Sequence, residues 1–408
     1  MHDASTAGSA RADRLLSPHF LLVTAAALSV FVGFGATIPL LPRFIEQEFG
    51  DGDATIGIVF GSISLTAIIV RPYAARISDT LGRRFLIVAG ASLTSVGIGL
   101  HAVAQSSEML VPFRLIMGAG QGMFFVGAAT LINDLASADR RGEAASYFSV
   151  AVYGGLGIGP IVGERLLDAV GFTSSWLIAA GFVFAGAAIA APLPRLLGVP
   201  DRPALRTRSG SRLRRIAHPA GLMPGFVLML GIMPYAAFAS YAPGHAEDVG
   251  LGDAGTVFTV YAATVLVVRL LGAKVPDRLG LRTTSTTALV TIATGMLLMA
   301  TLQTPWGLHV AAAVYAVGQS LLYPALFAAA VNSVGDDERS QVVATFTMFF
   351  DISTGIGGLV LGIVAGAGGP VGAFLAGSVM AALGLLALQS PLADRATAPP
   401  QLSPSAGH

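Results

Sequence analysis

Apolar residues run through this chain in long blocks, with only short polar breaks between them. A helix needs roughly 20 apolar residues to cross about 30 Å of hydrocarbon. Twelve blocks qualify, centred near residues 30, 64, 94, 122, 155, 184, 230, 264, 293, 319, 353 and 380. The tenth and eleventh are told apart mainly by the polar break NSVGDDERSQ. The first, about residues 20–41, is longer than a signal-peptide core and has no small-residue cleavage site after it, so it reads as a retained span. The pattern predicts an all-α integral membrane fold of twelve transmembrane helices.

Composition sharpens that picture. Hydrophobic residues make up 54% of the chain and charged residues 12%, about half the charged share of a soluble protein. The 408 residues leave hardly any room for a soluble domain. With no cysteine there are no disulfides, thiolate metal sites or thiol nucleophiles. A net charge of +1 selects no acidic partner such as nucleic acid.

Where the charge falls matters more than its amount, because cytoplasmic loops retain Lys and Arg. With the N-terminus inside, 21 of the 24 basic residues fall in the termini, the cytoplasmic span ends or the even-numbered loops. The exceptions are Arg43, Arg114 and Arg165, while the loops after spans one and seven, EQEFGDGD and HAEDVGLGD, are acidic. Both termini are therefore expected in the cytoplasm. The chain divides into a six-helix bundle over 1–193, a basic linker over 194–218, a second six-helix bundle over 219–391 and a tail over 392–408 expected to be disordered. The linker arginines, from Arg195 to Arg215, suit contact with anionic lipid. Lysine occurs once, at Lys274, against 23 arginines, the usage of a GC-rich coding genome, which suits a bacterium.

The two bundles repeat one pattern. At an offset of 198 residues, 11 of the 28 positions between 57–84 and 255–282 are identical, where apolar composition alone gives on the order of one in ten. Matched pairs include Arg71 with Arg269, Asp79 with Asp277, Gly82 with Gly280 and Arg84 with Arg282; later come Gln121 with Gln319, Arg141 with Arg339 and Gly159 with Gly357. Six spans per copy give both copies the same orientation. Parallel repeats of this kind form a midplane site at their interface that opens alternately to each side. That arrangement predicts a transporter.

The stretch RPYAARISDTLGRR, residues 71–84, closes span two. Ala75, Asp79 and Arg83 are four apart on one helical face, and Gly82 permits the sharp exit that points Arg83 and Arg84 at lipid headgroups. A small residue at 75 admits a close neighbouring helix, whose N-terminus or arginine Asp79 can hold in one arrangement of the halves. On these residues the chain resembles the major facilitator superfamily, whose loop between spans two and three reads G-x-x-x-D-R/K-x-G-R-R/K. Asp79, Gly82, Arg83 and Arg84 fit, Ala75 stands for the first glycine and Thr80 for a basic residue. The resemblance implies a conformational latch of Arg71, Ala75, Asp79, Gly82, Arg83, Arg84 and Asp134, with Arg269, Asp277, Gly280 and Arg282 in the second copy.

Two further motifs follow in the family's order. RLIMGAGQG, residues 114–122, is similar to its span-four pattern R-x-x-x-G-x-G, with Arg114, Gly118 and Gln121 near one face. An arginine within a span costs roughly 2.5–3.5 kcal/mol on insertion scales, so Arg114 is expected to face the cavity or a carboxylate. The resemblance implies a role for it in proton coupling or substrate polarity. GGLGIGPIVGE, residues 154–164, sets Gly155, Gly159 and Gly163 four apart around Pro160, a flat packing face with a permitted kink. It resembles the span-five pattern G-x-x-x-G-P-x-x-G-G of antiporters, mostly drug and metabolite exporters, with Glu164 in place of the last glycine.

A proton-coupled carrier needs a group that changes protonation as its cavity alternates, which a carboxylate does only when desolvation favours its neutral form. Asp134 ends span four beside the cytoplasm and belongs with the Asp79 latch, while Glu143 opens span five and Glu164 lies near its outer end, both within reach of water. Asp351, in TMFFDISTGIGG, stands about twelve residues into span eleven between apolar neighbours and leads the proton-coupling candidates, with Arg114 the other. Span one carries no acid, unlike many exporters of the family. Substrate contacts are expected from cavity residues such as Gln121, Tyr235, Tyr241, Gln319 and Tyr323. The seven histidines show no metal-ligand spacing and no nucleophile–base constellation stands out, so neither a metal nor enzymatic catalysis is expected. No phosphate-binding loop occurs, so the proton gradient is the expected energy source, with no cofactor. The sequence reads as a monomeric, multi-pass transporter of the bacterial inner membrane, an antiporter for efflux of small amphipathic drugs or metabolites. The alternatives are a proton-coupled nutrient uptake symporter and, behind it, a lipid transporter or membrane enzyme.

Overall fold

The computed structural model describes residues 17–136, 140–194, 218–252, 254–271, 279–334 and 338–390. The linker from 195 to 217, Asp277 and the tail from 391 lie outside the described residues, as do the side chains of Ala75, Asp79, Arg141, Glu143, Arg339 and Asp351.

Every regular element among the described residues is helical. The first half comprises α1 (Pro18–Phe44), α2 (Asp53–Leu81), α3 (Arg83–Leu100), α4 (Ser107–Leu135) and α5 (Arg141–Ala190). The second comprises α6 (Pro219–Ile232), α7 (Pro234–Asp248), α8 (Gly255–Leu271), α9 (Leu281–Thr301), α10 (Pro305–Asn332) and α11 (Arg339–Leu388). Local chemistry sets several of the starts. Ser17 Oγ accepts from Phe20 N at 3.2 Å and Thr304 Oγ1 from Gly307 N at 3.1 Å, each followed by a proline whose missing N–H is no loss in a first turn. Met233 separates α6 from α7, because Pro234 has no N–H with which to continue the helical ladder.

The 50-residue runs α5 and α11 are each two helices hinged at a glycine, Gly171 (φ 72°, ψ 178°) and Gly369 (φ 62°, ψ −169°). That backbone region is essentially closed to residues with a side chain. The two hinges stand at the offset of the sequence repeat, as do Gly82 (φ 86°) and Gly280 (φ 79°) at the sharp turns before α3 and α9. The repeat is thus written in backbone conformation as well as in residue identity. Nine helical segments among the described residues are long and apolar enough to cross a bilayer. With both hinged runs divided and the shorter Gly255–Arg269 included, they accommodate the twelve passes expected.

Large apolar side chains such as Leu65, Ile69, Phe184 and Val379 are exposed on the outside of the bundle, while alanines such as Ala26, Ala27, Ala311 and Ala312 fill its interior. In lipid no hydrophobic force drives helices together, so small residues that let backbones approach supply the packing. Within the first half α1 lies along α5 and α3 along α4; within the second α9 lies along α10 and α6 against α11. The halves meet through α2 with α11, α5 with α8 and α1 with α7.

Candidate functional site

The halves are joined by polar and close-packed contacts at the end of the bundle that carries the α1–α2 connection. Arg43, in the last turn of α1, spreads its guanidinium between two carboxylates. Its Nη1 lies 2.5 Å from Glu164 Oε2 of α5, and its Nη2 lies 2.6 Å from Glu247 Oε1 of α7. The planar fork of arginine suits it to hold two acceptors at once. Glu164 belongs to the same half as Arg43 and its side chain is only 5% exposed, whereas Glu247 belongs to the other half and is 53% exposed. Beside this cluster Tyr241 Oη donates to the Asp53 carbonyl at 2.9 Å, again joining α7 to the first half. Tyr241, expected in the cavity, therefore sits in the seam at this end.

Below it, α2 and α11 touch backbone to backbone. A methyl group on Gly358 would come within 2.8 Å of Gly61 Cα, and one on Gly362 within 2.7 Å of Gly57 Cα. Ala54 lies opposite Gly366 in the same seam. The glycines of the span-five motif instead serve one half: Gly155 packs on Phe31, Gly159 on Gly35 and Gly163 on Ala36, so α5 beds against α1. Pro160 lies inside α5 on that bed. Glu164, where the family pattern has glycine, is the residue that receives Arg43. Arg43 was not among the sequence candidates, although its place on the acidic side of the membrane opposite this glutamate was the available signal.

At the opposite end, Arg83 Nε stands 3.1 Å from Asp134 Oδ2, and Arg84 Nε donates to the Ala191 carbonyl at 2.9 Å. These bonds tie the start of α3 to the ends of α4 and α5 within the first half. Arg282 is exposed in the first turn of α9 after Gly280. Arg71 and Arg269, equivalent in the repeat, part company in their contacts. Arg71 lies over the Phe125 ring of α4 in its own half, at 5.3 Å, while Arg269 reaches across to the Tyr153 ring of α5, at 3.8 Å.

Arg114 is 3% exposed and packed between α4 and α2. Its Nη2 donates to the Phe60 carbonyl at 3.3 Å, and its guanidinium lies 5.6 Å from the Phe60 ring centre. Among the described residues it makes no ion pair with a carboxylate. Of the expected cavity residues, Gln319 donates from Nε2 to the Gly231 carbonyl and to Tyr315 Oη, both at 2.9 Å. Tyr235 lies 6.3 Å from Tyr261, centre to centre, and Tyr323 stacks on Phe327 at 5.8 Å. Gln121 is half-buried on α4. Asp351 stands on α11 with its side chain outside the described residues. No group of three or more potential metal ligands occurs among the described residues.

Comparison with known proteins agrees with this architecture. The family model described as Major Facilitator Superfamily matches residues 23–252 and 224–406. An uncharacterized MFS-type transporter of Salmonella typhimurium is 25% identical over 373 residues, covering 89% of this chain and 93% of the relative. One of Pseudomonas aeruginosa is 28% identical over 400 residues, covering 93% and 95% respectively. Among solved structures, a POT family transporter in complex with a thioalcohol-conjugated peptide superposes with a TM-score of 0.75 at 13% identity, covering 93% of this chain and 96% of that one.

Proposed function

The chain belongs to the Major Facilitator Superfamily and is a secondary transporter, and we propose that it exports small amphipathic drugs or metabolites in exchange for protons by alternating access. The observation that carries the reading is the seam at the α1–α2 end, where Arg43 with Glu247 and the α2–α11 glycine face join the two repeats. Contacts of this kind part and re-form as units when two rigid bundles rock about a central site. In the proposed cycle this end faces outward in the inner membrane, with both termini in the cytoplasm. Export is supported by the glycine pattern of α5, which resembles that of exporters.

Asp351 is the proposed proton carrier, by its place among apolar neighbours on α11. A charge crossing 100 mV gains about 2.3 kcal/mol, enough to sustain a substrate gradient of roughly fortyfold for one proton.

The test uses everted vesicles with an acidified lumen and a pH-sensitive dye, challenged with a panel of cationic, anionic and neutral compounds. Compound-triggered loss of lumenal acid, abolished by Asp351→Asn, is the expected result. Deeper acidification on adding compound would instead identify an uptake symporter running backwards.

A further inference from the structure

We infer that the site between the halves takes an amphipathic organic anion, its acidic group held by Arg269 and its apolar body by the tyrosines around it. The inference rests on the transporter reading above and narrows its substrate class.

Arg269 lies fourteen residues along α8, about 21 Å from the helix start at 1.5 Å per residue, and closes the apolar stretch Gly255–Arg269 short of the roughly 30 Å of hydrocarbon. A cation there is retained at a penalty unless something of opposite charge meets it. Among the described residues no carboxylate pairs with Arg269, and its Nε is buried without a hydrogen-bond partner. What it has is the face of Tyr153, 3.8 Å away on the other half. A cation over a ring is partly satisfied by the ring's negative face, yet the N–H groups at the guanidinium's edge still call for acceptors.

The surroundings repeat that imbalance. Two helical turns back along α8, about 12 Å from the arginine, Tyr261 begins an aromatic wall with Tyr235 and Tyr315, its ring centre 6.3 Å from that of Tyr235 and 5.7 Å from that of Tyr315. Gln319 fixes Tyr315 through its hydroxyl. The hydroxyls of Tyr153, Tyr235 and Tyr261 make no hydrogen bond to another described residue, and all three side chains, like Arg269, are only partly buried. The place thus offers a guanidinium and three phenols whose hydroxyls are free to donate, no carboxylate among the described residues, and aromatic faces on its walls.

A carboxylate, sulfonate or phosphonate on an apolar body supplies what is missing on both counts. An ammonium compound would meet like charge instead. Because Tyr153 comes from the first half and the other residues from the second, such an anion touches both halves at once. A ligand shifts a conformational equilibrium only by binding the alternatives differently, and contact with both halves provides that difference.

The test is equilibrium dialysis of the full-length protein in detergent with 1-naphthoate, 1-naphthamide and 1-naphthylmethylammonium, which share a ring and differ in charge. Naphthoate is expected to bind at least tenfold more tightly than the amide. Arg269→Gln is expected to erase that difference, and Arg269→Glu to turn the preference toward the ammonium. Equal binding of naphthoate and amide to the unaltered protein, preference for the ammonium, or no binding by any of the three at millimolar concentration overturns the inference without recourse to a variant. A naphthoate preference that survives Arg269→Gln at unchanged melting temperature also overturns it. Should Arg269→Gln fail to fold, the double variant Tyr235→Phe and Tyr261→Phe keeps the rings and removes two donors. It is expected to weaken naphthoate at least threefold, and unchanged affinity counts against the site. In proteoliposomes, Arg269-dependent naphthoate binding without proton-coupled flux of any compound would sink the export reading and leave the anion site standing. Proton-coupled flux of cations that ignores Arg269→Gln would do the reverse.

Discussion

Arg43 holds two carboxylates that lie in different halves, and the two bonds have different consequences. The bond to Glu164 is buried within one half. Breaking a buried pair costs about 3–5 kcal/mol when the remaining charge is left uncompensated; without Glu164, Arg43 keeps only the half-exposed Glu247 of the other half, so part of that cost remains. Glu164→Ala is therefore expected to lower the melting temperature of the purified protein by several degrees, whatever the substrate. The bond to Glu247 spans the seam and is half-exposed on the glutamate side, where an ion pair contributes about 0.2–1 kcal/mol. Glu247→Gln is expected to leave the melting temperature nearly unchanged and to raise the open fraction of the α1–α2 end by up to about fivefold. Ala54→Cys, placed in the seam of a chain with no native cysteine, reports that opening as faster maleimide labelling. Equal labelling with Glu247 and with Gln at that position would mean the pair does not hold the seam.

The helices show the same division between packing that builds a half and packing that joins two. Both kinds use glycine. Gly159 beds α5 on α1, where a side chain would meet the Gly35 backbone, and Gly358 beds α11 on α2, where it would meet Gly61. Overpacking costs typically 1–3 kcal/mol, but that strain acts on different equilibria. Gly159→Leu is expected to destabilise the fold, seen as a lower melting temperature and poorer recovery of protein. Gly358→Leu is expected to spare the melting temperature, speed labelling at Ala54→Cys and abolish transport, because the seam no longer closes. The sequence marks Gly155, Gly159 and Gly163 as a flat face by their spacing alone, and marks the turn at Gly82 by its motif. It does not say which helix each face meets. In a membrane, a residue facing lipid and one facing another helix are both apolar, so periodicity shows the faces of a helix without naming its neighbours. For that reason the match of Gly57 and Gly61 with Gly362 and Gly358, across about three quarters of the chain, is not readable in the sequence. The partners of Arg43 were equally hidden, although each member of the cluster stands out as a charge on the acidic side.

For the molecule as a whole, the repeat of 198 residues fixes two like bundles, and the hinges at Gly171 and Gly369 show that likeness surviving in the backbone. Function needs the likeness to be incomplete. Arg71 lies over a ring of its own half while its counterpart Arg269 lies over a ring of the other, so these two equivalent positions do not meet the same surroundings. In the proposed cycle, two halves around a central site transport only if the seam at the α1–α2 end opens and closes each time. A covalent bond across it is therefore expected to stop the cycle without disturbing either half. A methyl group on Gly366 would lie 3.2 Å from Ala54 Cβ, close to the separation of about 3.5–4.5 Å that a disulfide spans. The double variant Ala54→Cys and Gly366→Cys is expected to cross-link on mild oxidation, to lose at least nine-tenths of its transport when cross-linked, and to regain it on reduction. Transport at the full rate through the cross-linked protein would show that the seam stays shut throughout the cycle, and the alternating opening of this end would have to be abandoned.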